Sequence, residues 1–193
     1  MTRIGILGSI GSGKSYVAKK LGYPVFDADH EVATLYKKNK KIFLKLKKIL
    51  PKNIKSFPIE KKEITKAILQ KKGNLKKIIK IVHTEVRKKM NLFFKKNKSK
   101  KFVVLDVPLL LENKLNKKSD ILIFVDSKKS DILKELIKRK NFNKELFNKF
   151  KKIQFSSQYK MKKSHFVIKN DFTKKTINTN IKDILQKIKQ WKK

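Results

Sequence analysis

The chain has 193 residues, with 53 lysines and arginines against 15 acids and no cysteine. Without cysteine, disulfides, thiolate-ligated metal sites and thiol catalysis are excluded. No stretch reaches the roughly 18 apolar residues that a membrane helix requires, so we expect a cytoplasmic protein without membrane contact.

The formal net charge of +38 would attract any polyanion. Arginine is the residue best suited to bidentate base and phosphate contacts, yet only Arg3, Arg87 and Arg139 are present. The lysines are spread among Asn and Ile instead of forming one patch. This distribution favours compositional drift over a selected basic surface, and we expect no specific nucleic-acid partner.

Short apolar runs alternate with helical patterns along the chain, which predicts an α/β fold with a parallel five-stranded sheet covered by helices. The predicted strands are Thr2–Leu7, Pro24–Phe26, Phe102–Val107, Asp120–Asp126 and His165–Lys169. The predicted helices are one that follows the turn Gly8–Ser15, a helical region from Glu31 to about Lys98 broken at Pro51–Pro58, and Ser130–Arg139, Asn143–Tyr159 and Thr173–Lys193. The region between strands two and three is too long for one crossover, so we interpret residues 31–99 as an inserted helical subdomain.

A glycine-rich turn carries the strongest chemical signal. Gly8–Ser15 fits G-x-x-x-x-G-K-[ST], between a predicted strand and a helix that starts at Lys14. In such a P-loop the backbone N–H groups surround a phosphate, the lysine bridges the β- and γ-phosphates, and the serine hydroxyl binds Mg²⁺. The motif predicts ATP or GTP binding on a P-loop NTPase-type sheet, although many unrelated P-loop proteins share it.

Two acids follow the second predicted strand. Ligands of parallel sheets lie at the carboxyl ends of the strands, so Asp27 and Asp29 should face the phosphate site. A carboxylate there can position an attacking hydroxyl or accept its proton. The alternative is that either residue simply caps the next helix.

Two further residues are candidates for the same site. Asp106 ends a buried apolar strand, where it could hold Mg²⁺ directly or through water, or could accept hydrogen bonds from loop N–H groups. Arg139 lies between two predicted helices; in small P-loop kinases such a pair is commonly a lid whose arginine neutralises the transferred phosphoryl group. The alternative for Arg139 is an ordinary surface cation.

These segments together resemble the dephospho-CoA kinase family, the enzymes of the last step of coenzyme A synthesis. The matching segments are GSIGSGKS (8–15), PVFDAD (24–29), IVHTEV (81–86), VPLLLENKL (107–115), FVDS (124–127), Arg139, Gln154 and VIKN (167–170). The resemblance implies phosphorylation of the ribose 3′-hydroxyl of dephospho-CoA by ATP with Mg²⁺.

The resemblance also implies roles for individual residues. Lys14, Asp29 and Arg139 would be catalytic, with Asp29 as general base or hydroxyl-positioning residue. ATP would bind at Gly8, Gly11, Ser12, Gly13, Lys14, Ser15 and Tyr16. Dephospho-CoA would bind at Asp29, Lys61, His83 and Leu109, and Mg²⁺ at Ser15 and Asp106. The single domain would comprise a core (1–30, 100–130 and 164–193), a CoA-side insertion (31–99) and a lid (131–163).

Several positions depart from the family pattern; among them, Lys61 and Lys160 stand where arginine is usual, and Glu135 where a lid arginine is common. The rival interpretations are another small-molecule or nucleotide P-loop kinase, and a basic nucleic-acid-binding P-loop ATPase. Nothing in the sequence indicates the oligomeric state.

Overall fold

The computed structural model describes residues 1–191 and contains one sheet of five strands. The strands are β1 (Thr2–Gly8), β2 (Val25–Asp27), β3 (Phe102–Asp106), β4 (Ile121–Asp126) and β5 (Phe166–Lys169). They lie in the order β2-β3-β1-β4-β5, and every pairing is parallel. The predicted parallel five-stranded α/β fold is therefore confirmed.

Helices connect and cover these strands. They are α1 (Lys14–Lys20), α2 (Ala28–Lys38), α3 (Lys40–Ile49), α4 (Lys61–Gln70), α5 (Asn74–Lys96), α6 (Lys129–Ile137), α7 (Lys144–Lys152), α8 (Ser157–Lys162) and α9 (Lys174–Gln190). The last predicted helix extended to Lys193, and its final two residues lie outside the described part of the chain. None of the helices within residues 1–191 has the length and apolar character needed to cross a membrane.

The sheet is buried on both faces, which explains its apolar strand sequences. On one face, helices α2 to α5 share a cluster with strand residues such as Phe26, Leu105 and Phe124. On the other face, α1 and α9 pack against residues such as Ile4 and Ile6. Helices α2 to α5 therefore share a hydrophobic core with the sheet, which covers their apolar faces.

Most predicted boundaries differ from the structure by a residue or two, and three differences affect the site or the division into helices. Strand β2 continues to Asp27, and Asp29 lies in the first turn of α2 instead of at the strand end, because the Asp27 side chain caps this helix. The single helix predicted over Asn143–Tyr159 is two helices, since Ser156 caps a new one by accepting from the N–H of Tyr159. The helical region between β2 and β3 also begins earlier than predicted, at Ala28.

Candidate active site

The glycine-rich turn between β1 and α1 forms a backbone cradle. Gly11 and Gly13 have φ angles of 84° and 86°, a left-handed conformation that glycine adopts without strain. Within residues 1–191, the N–H groups of Gly11, Gly13, Lys14 and Ser15 have no hydrogen-bond acceptor. Free N–H groups at a helix start bind anions, so this turn fits a nucleotide phosphate.

Two side chains that directly follow β4 and β5 anchor the cradle. The backbone carbonyl of Ser12 accepts from the Ser127 hydroxyl at 3.1 Å and from the Asn170 side-chain amide at 2.8 Å. Asn170 is buried against Gly13, and a Cβ at Gly13 would collide with its amide nitrogen. The carboxyl ends of β4 and β5 therefore fix the shape of the loop. Both residues lie in segments that resemble the family, FVDS (124–127) and VIKN (167–170), but the sequence predicted no role for them.

Lys14 lies at the centre of the charged groups. Its ammonium donates to the carbonyl of Ser9 at 2.7 Å. Burial lowers the pKa of Lys14 to about 8, with the positive charges of Lys160 and Arg139 acting in the same direction. The Asp106 and Asp29 carboxylates oppose this shift. The Lys14 ammonium therefore lies within electrostatic reach of both candidate acids, Asp29 and Asp106.

Three acids converge at the carboxyl edge of the sheet. Asp27 pairs in register with Asp106 across β2 and β3, and its carboxylate accepts from the N–H of His30 at 2.9 Å. The capping alternative therefore holds for Asp27. Asp29 does not cap α2, because it lies inside the first turn.

Asp29 is open to solvent, yet surrounding protein displaces enough water to raise its pKa, and the charges of Asp106 and Asp27 raise it further. The cations of Lys14 and Lys61 lower it. Lys14 and Lys61 therefore both lie within electrostatic reach of Asp29. A carboxylate with a raised pKa is a better proton acceptor than an ordinary surface aspartate.

Asp106 is 5% exposed at the end of β3. Burial raises its pKa, whereas hydrogen bonding from Ser15 and the charge of Lys14 favour its ionised form. Ser15 and Asp106 thus place a hydroxyl and a carboxylate together, both oxygen donors of the kind that Mg²⁺ accepts. Among residues 1–191 no cluster of three or more His, Asp or Glu side chains could hold a metal ion. A magnesium ion here would need oxygens from nucleotide phosphates and water.

The segment predicted as a lid packs against the phosphate cradle. Ile132 and Leu136 of α6 approach Gly11 so closely that a Cβ there would contact both side chains at 2.9 to 3.0 Å. Arg139 follows α6 and is exposed, and its positive charge contributes to the lowered pKa of Lys14. Glu135 forms an exposed ion pair with Lys138 at 2.6 Å, so the reversed charge at position 135 is balanced locally.

The residues predicted to bind dephospho-CoA lie in two regions of the structure. Lys61 is the first residue of α4, and its positive charge lowers the pKa of Asp29. His83 lies half-buried on α5, where burial and the nearby Arg87 lower its pKa. Arg87 donates to the carbonyl of Asn113 at 3.3 Å, and Asn113 in turn donates to the carbonyl of Leu109.

Leu109 is buried with a φ angle of 60°, which is unusual for a leucine. Such strained backbone is concentrated at functional sites. Within residues 1–191 no hydrogen bond joins His83 or Leu109 to Lys14 or Asp29. Arg87 and Asn113 instead link the surroundings of His83 to the loop that contains Leu109.

Lys160 and Glu112 form a buried ion pair for which the sequence predicted no role. Lys160 of α8 lies 2.9 Å from Glu112, with side-chain exposures of only 4% and 9%. The sequence identified Lys160 only as a departure from the family pattern. The residues next to Lys160 in sequence do not distinguish it from the many exposed lysines, because its burial arises from tertiary packing.

The geometry can be set beside known proteins. The family model described as dephospho-CoA kinase matches residues 2–176. The chain belongs to the dephospho-CoA kinase family. A curated dephospho-CoA kinase from Wolbachia pipientis wMel is 34% identical over 190 residues, covering 96% of this chain and 97% of the relative. One from Fusobacterium nucleatum is 32% identical, covering 97% and 95% respectively.

Solved structures share the fold of this chain. A Thermus thermophilus protein, TT1252, is 26% identical with a TM-score of 0.74, and 97% of each chain is covered. A dephospho-CoA kinase from Campylobacter jejuni has the same fold, with a TM-score of 0.64 at 22% identity and 97% coverage of both chains. The P-loop kinase fold inferred from the sequence is confirmed, and so is ATP as the phosphoryl donor of the family.

Proposed function

We propose that this protein transfers the γ-phosphoryl group of ATP to the ribose 3′-hydroxyl of dephospho-CoA, giving coenzyme A and ADP. The observation that carries the proposal is the proximity of Asp29 to Lys14. The Asp29 carboxylate and the Lys14 ammonium of the phosphate cradle are close enough for each charge to shift the pKa of the other group. Membership of the dephospho-CoA kinase family supports the choice of acceptor.

The donor would be held by the cradle. The free N–H groups of Gly11, Gly13, Lys14 and Ser15 would bind the β- and γ-phosphates, and the Lys14 ammonium would leave the Ser9 carbonyl to bridge them. Gly8, Ser12 and Tyr16 complete the nucleotide-binding segment.

Ser15 and Asp106 would hold the Mg²⁺ that accompanies ATP, Asp106 directly or through water. When bound, this ion neutralises charge on the phosphates and orients them.

Asp29 would orient the 3′-hydroxyl in line with the γ-phosphorus and accept its proton. The 3′-oxygen then forms a bond to phosphorus while the bond to the β–γ bridging oxygen breaks, so that ADP leaves with that electron pair. Positioning and charge neutralisation supply most of the rate, because phosphoryl transfer needs little covalent participation by the protein. The raised pKa of Asp29 favours its role as proton acceptor.

Lys61, His83 and Leu109 would contact dephospho-CoA from the insertion (31–99) and the loop after β3. The lid (131–163) would close over the nucleotide and bring Arg139 to the transferred phosphoryl group. Exclusion of water by this closure prevents ATP hydrolysis from competing with transfer.

An acceptor screen tests the proposal. Purified protein with Mg-ATP would be assayed for ADP release with dephospho-CoA, nucleosides, nucleotides, shikimate, DNA and RNA, each in parallel with an acceptor-free control. We expect ADP release only with dephospho-CoA. Release with a nucleoside or a sugar acid would support another small-molecule kinase, and stimulation by DNA or RNA would support a nucleic-acid-dependent ATPase.

A further inference from the structure

Helix α8 turns one face toward the phosphate cradle. The hydroxyl of Ser157, in its first turn, shares a hydrogen bond of 2.9 Å with the hydroxyl of Ser9. The carbonyl of that same Ser9 accepts from the Lys14 ammonium at 2.7 Å. Lys160 lies three residues after Ser157, and residues at this spacing lie on the same face of a helix. The Lys160 side chain therefore extends beside the part of the cradle that holds Lys14.

The Lys160 ammonium is buried with one ionic partner. Glu112 contacts it at 2.9 Å, and Oε1 of Glu112 also accepts from the N–H of Phe155 at 2.9 Å. An ammonium has three N–H donors, and Glu112 is the one carboxylate paired with it within residues 1–191. A buried cation is costly unless other partners compensate it, so a further anion beside Lys160 would be favourable.

We propose that Lys160, held in place by Glu112, is a second phosphate-binding lysine that contacts a phosphate of the bound nucleotide during transfer. This inference rests on the proposed kinase function. Glu112 is a positioning residue in this arrangement, because it orients Lys160 and contacts no substrate itself. The electrostatic influence of Lys160 on Lys14 agrees with a short separation between the two ammonium groups.

Substitution with matched controls separates phosphate binding from a purely structural ion pair. In K160M we expect kcat/KM for ATP to fall by about 100-fold, the scale of losing one group that stabilises developing charge. Affinity for ATP should fall, whereas affinity for adenosine, which lacks phosphate, should not change. The KM for dephospho-CoA should stay within about twofold, and K160R, which keeps the positive charge, should recover most of the activity. K162M on the exposed side of the same helix is the control, expected to match the wild type.

The double variant E112Q/K160M removes both charges and leaves no unpaired ion in the interior. It should keep a cooperative thermal transition and be as slow as K160M. A folded double variant with wild-type kcat/KM would overturn the inference, as would equal losses of ATP and adenosine affinity in K160M. Inactivity of the wild type in the acceptor screen would instead refute the proposed function, so the two failures are distinguishable.

Should the variants fail to fold, the wild-type protein still decides the question. In its crystal structure with a non-hydrolysable ATP analogue and Mg²⁺, the Lys160 ammonium should lie about 2.7–3.2 Å from a phosphate oxygen. A gap longer than about 5 Å, too wide for direct contact, would overturn the inference.

Discussion

The side-chain amide of Asn170 donates to the backbone carbonyl of Ser12 at 2.8 Å, which ties the end of β5 to the phosphate-binding loop at the start of the chain. The two residues are separated by 158 positions in sequence. The geometry of the loop therefore depends on the completed sheet as well as on its own glycines.

Replacing Gly13 by alanine tests this dependence. The new Cβ would collide with the Asn170 amide and would also occupy a φ of +86°. We expect G13A to lower the free energy of unfolding by about 1–3 kcal/mol and to weaken ATP binding at least about tenfold. G22A is the matched control, because Gly22 has a φ of +75° with no atom within 4 Å of its would-be Cβ. Equal ATP affinity in the two variants would show that the contact with Asn170 is unimportant.

Lys14→Ala removes the cation at the centre of the cradle. We expect turnover with dephospho-CoA to fall at least about 100-fold, because the β- and γ-phosphates lose their neutralising charge. Steady-state kinetics would measure this, with K19A on the exposed surface of α1 as the control. Turnover of K14A near that of the wild type would exclude Lys14 from the reaction.

Asp29→Asn keeps the size of the side chain and removes its ability to accept a proton. We expect turnover to fall at least about 100-fold while ATP affinity changes little. Asp27→Asn is the control, since asparagine caps a helix about as well as aspartate and the Asp27 carboxylate serves as a cap. Similar losses in D27N and D29N would indicate a general electrostatic effect instead of a specific role for Asp29.

Arg139→Lys replaces a planar guanidinium by a point charge. We expect kcat to fall roughly tenfold or more, because a bidentate contact with the transferred phosphoryl group is lost. The neighbouring exposed cation Lys140 supplies the control variant K140A. Unchanged kinetics in R139K would remove Arg139 from the site and leave it as a surface cation.

The pH dependence of ATP binding follows from the pKa of about 8 that burial gives Lys14. Below that pH the free protein carries the Lys14 charge, and above it the ammonium loses its proton. Bound phosphates favour the charged form, so binding above pH 8 requires proton uptake. ATP affinity should then fall by up to about tenfold for each further pH unit. Calorimetry between pH 7 and 9.5 would measure this decline, and Lys14→Arg, which stays charged, should abolish it. If ATP affinity fell equally with pH in the wild type and in Lys14→Arg, the pH dependence could not be assigned to Lys14.

The sequence predicted the features that depend on local patterns. Buried strands such as Phe102–Val107 are continuous apolar runs, and the Gly8–Ser15 motif has one known geometry, so both were placed correctly. The helical content between β2 and β3 was predicted, but its division into four helices was not, because helix ends there depend on caps such as Asn39 and on packing against the sheet.

The site could be predicted only where a motif carried it. Asp29 and Asp106 follow from strand ends in a parallel sheet, although the displacement of Asp29 into α2 required knowledge of the Asp27 cap. The Glu112–Lys160 ion pair joins elements that are distant in sequence. In a chain with lysine at so many positions, only tertiary packing shows which lysine is buried.

A crystal structure of the ternary complex with dephospho-CoA, Mg²⁺ and a non-hydrolysable ATP analogue tests the central claim most directly. The account predicts the γ-phosphate within the turn from Gly8 to Ser15 and the ribose 3′-hydroxyl within about 3.2 Å of the Asp29 carboxylate. A triphosphate bound outside that turn would contradict the account, and so would a 3′-hydroxyl held by another residue with Asp29 facing away.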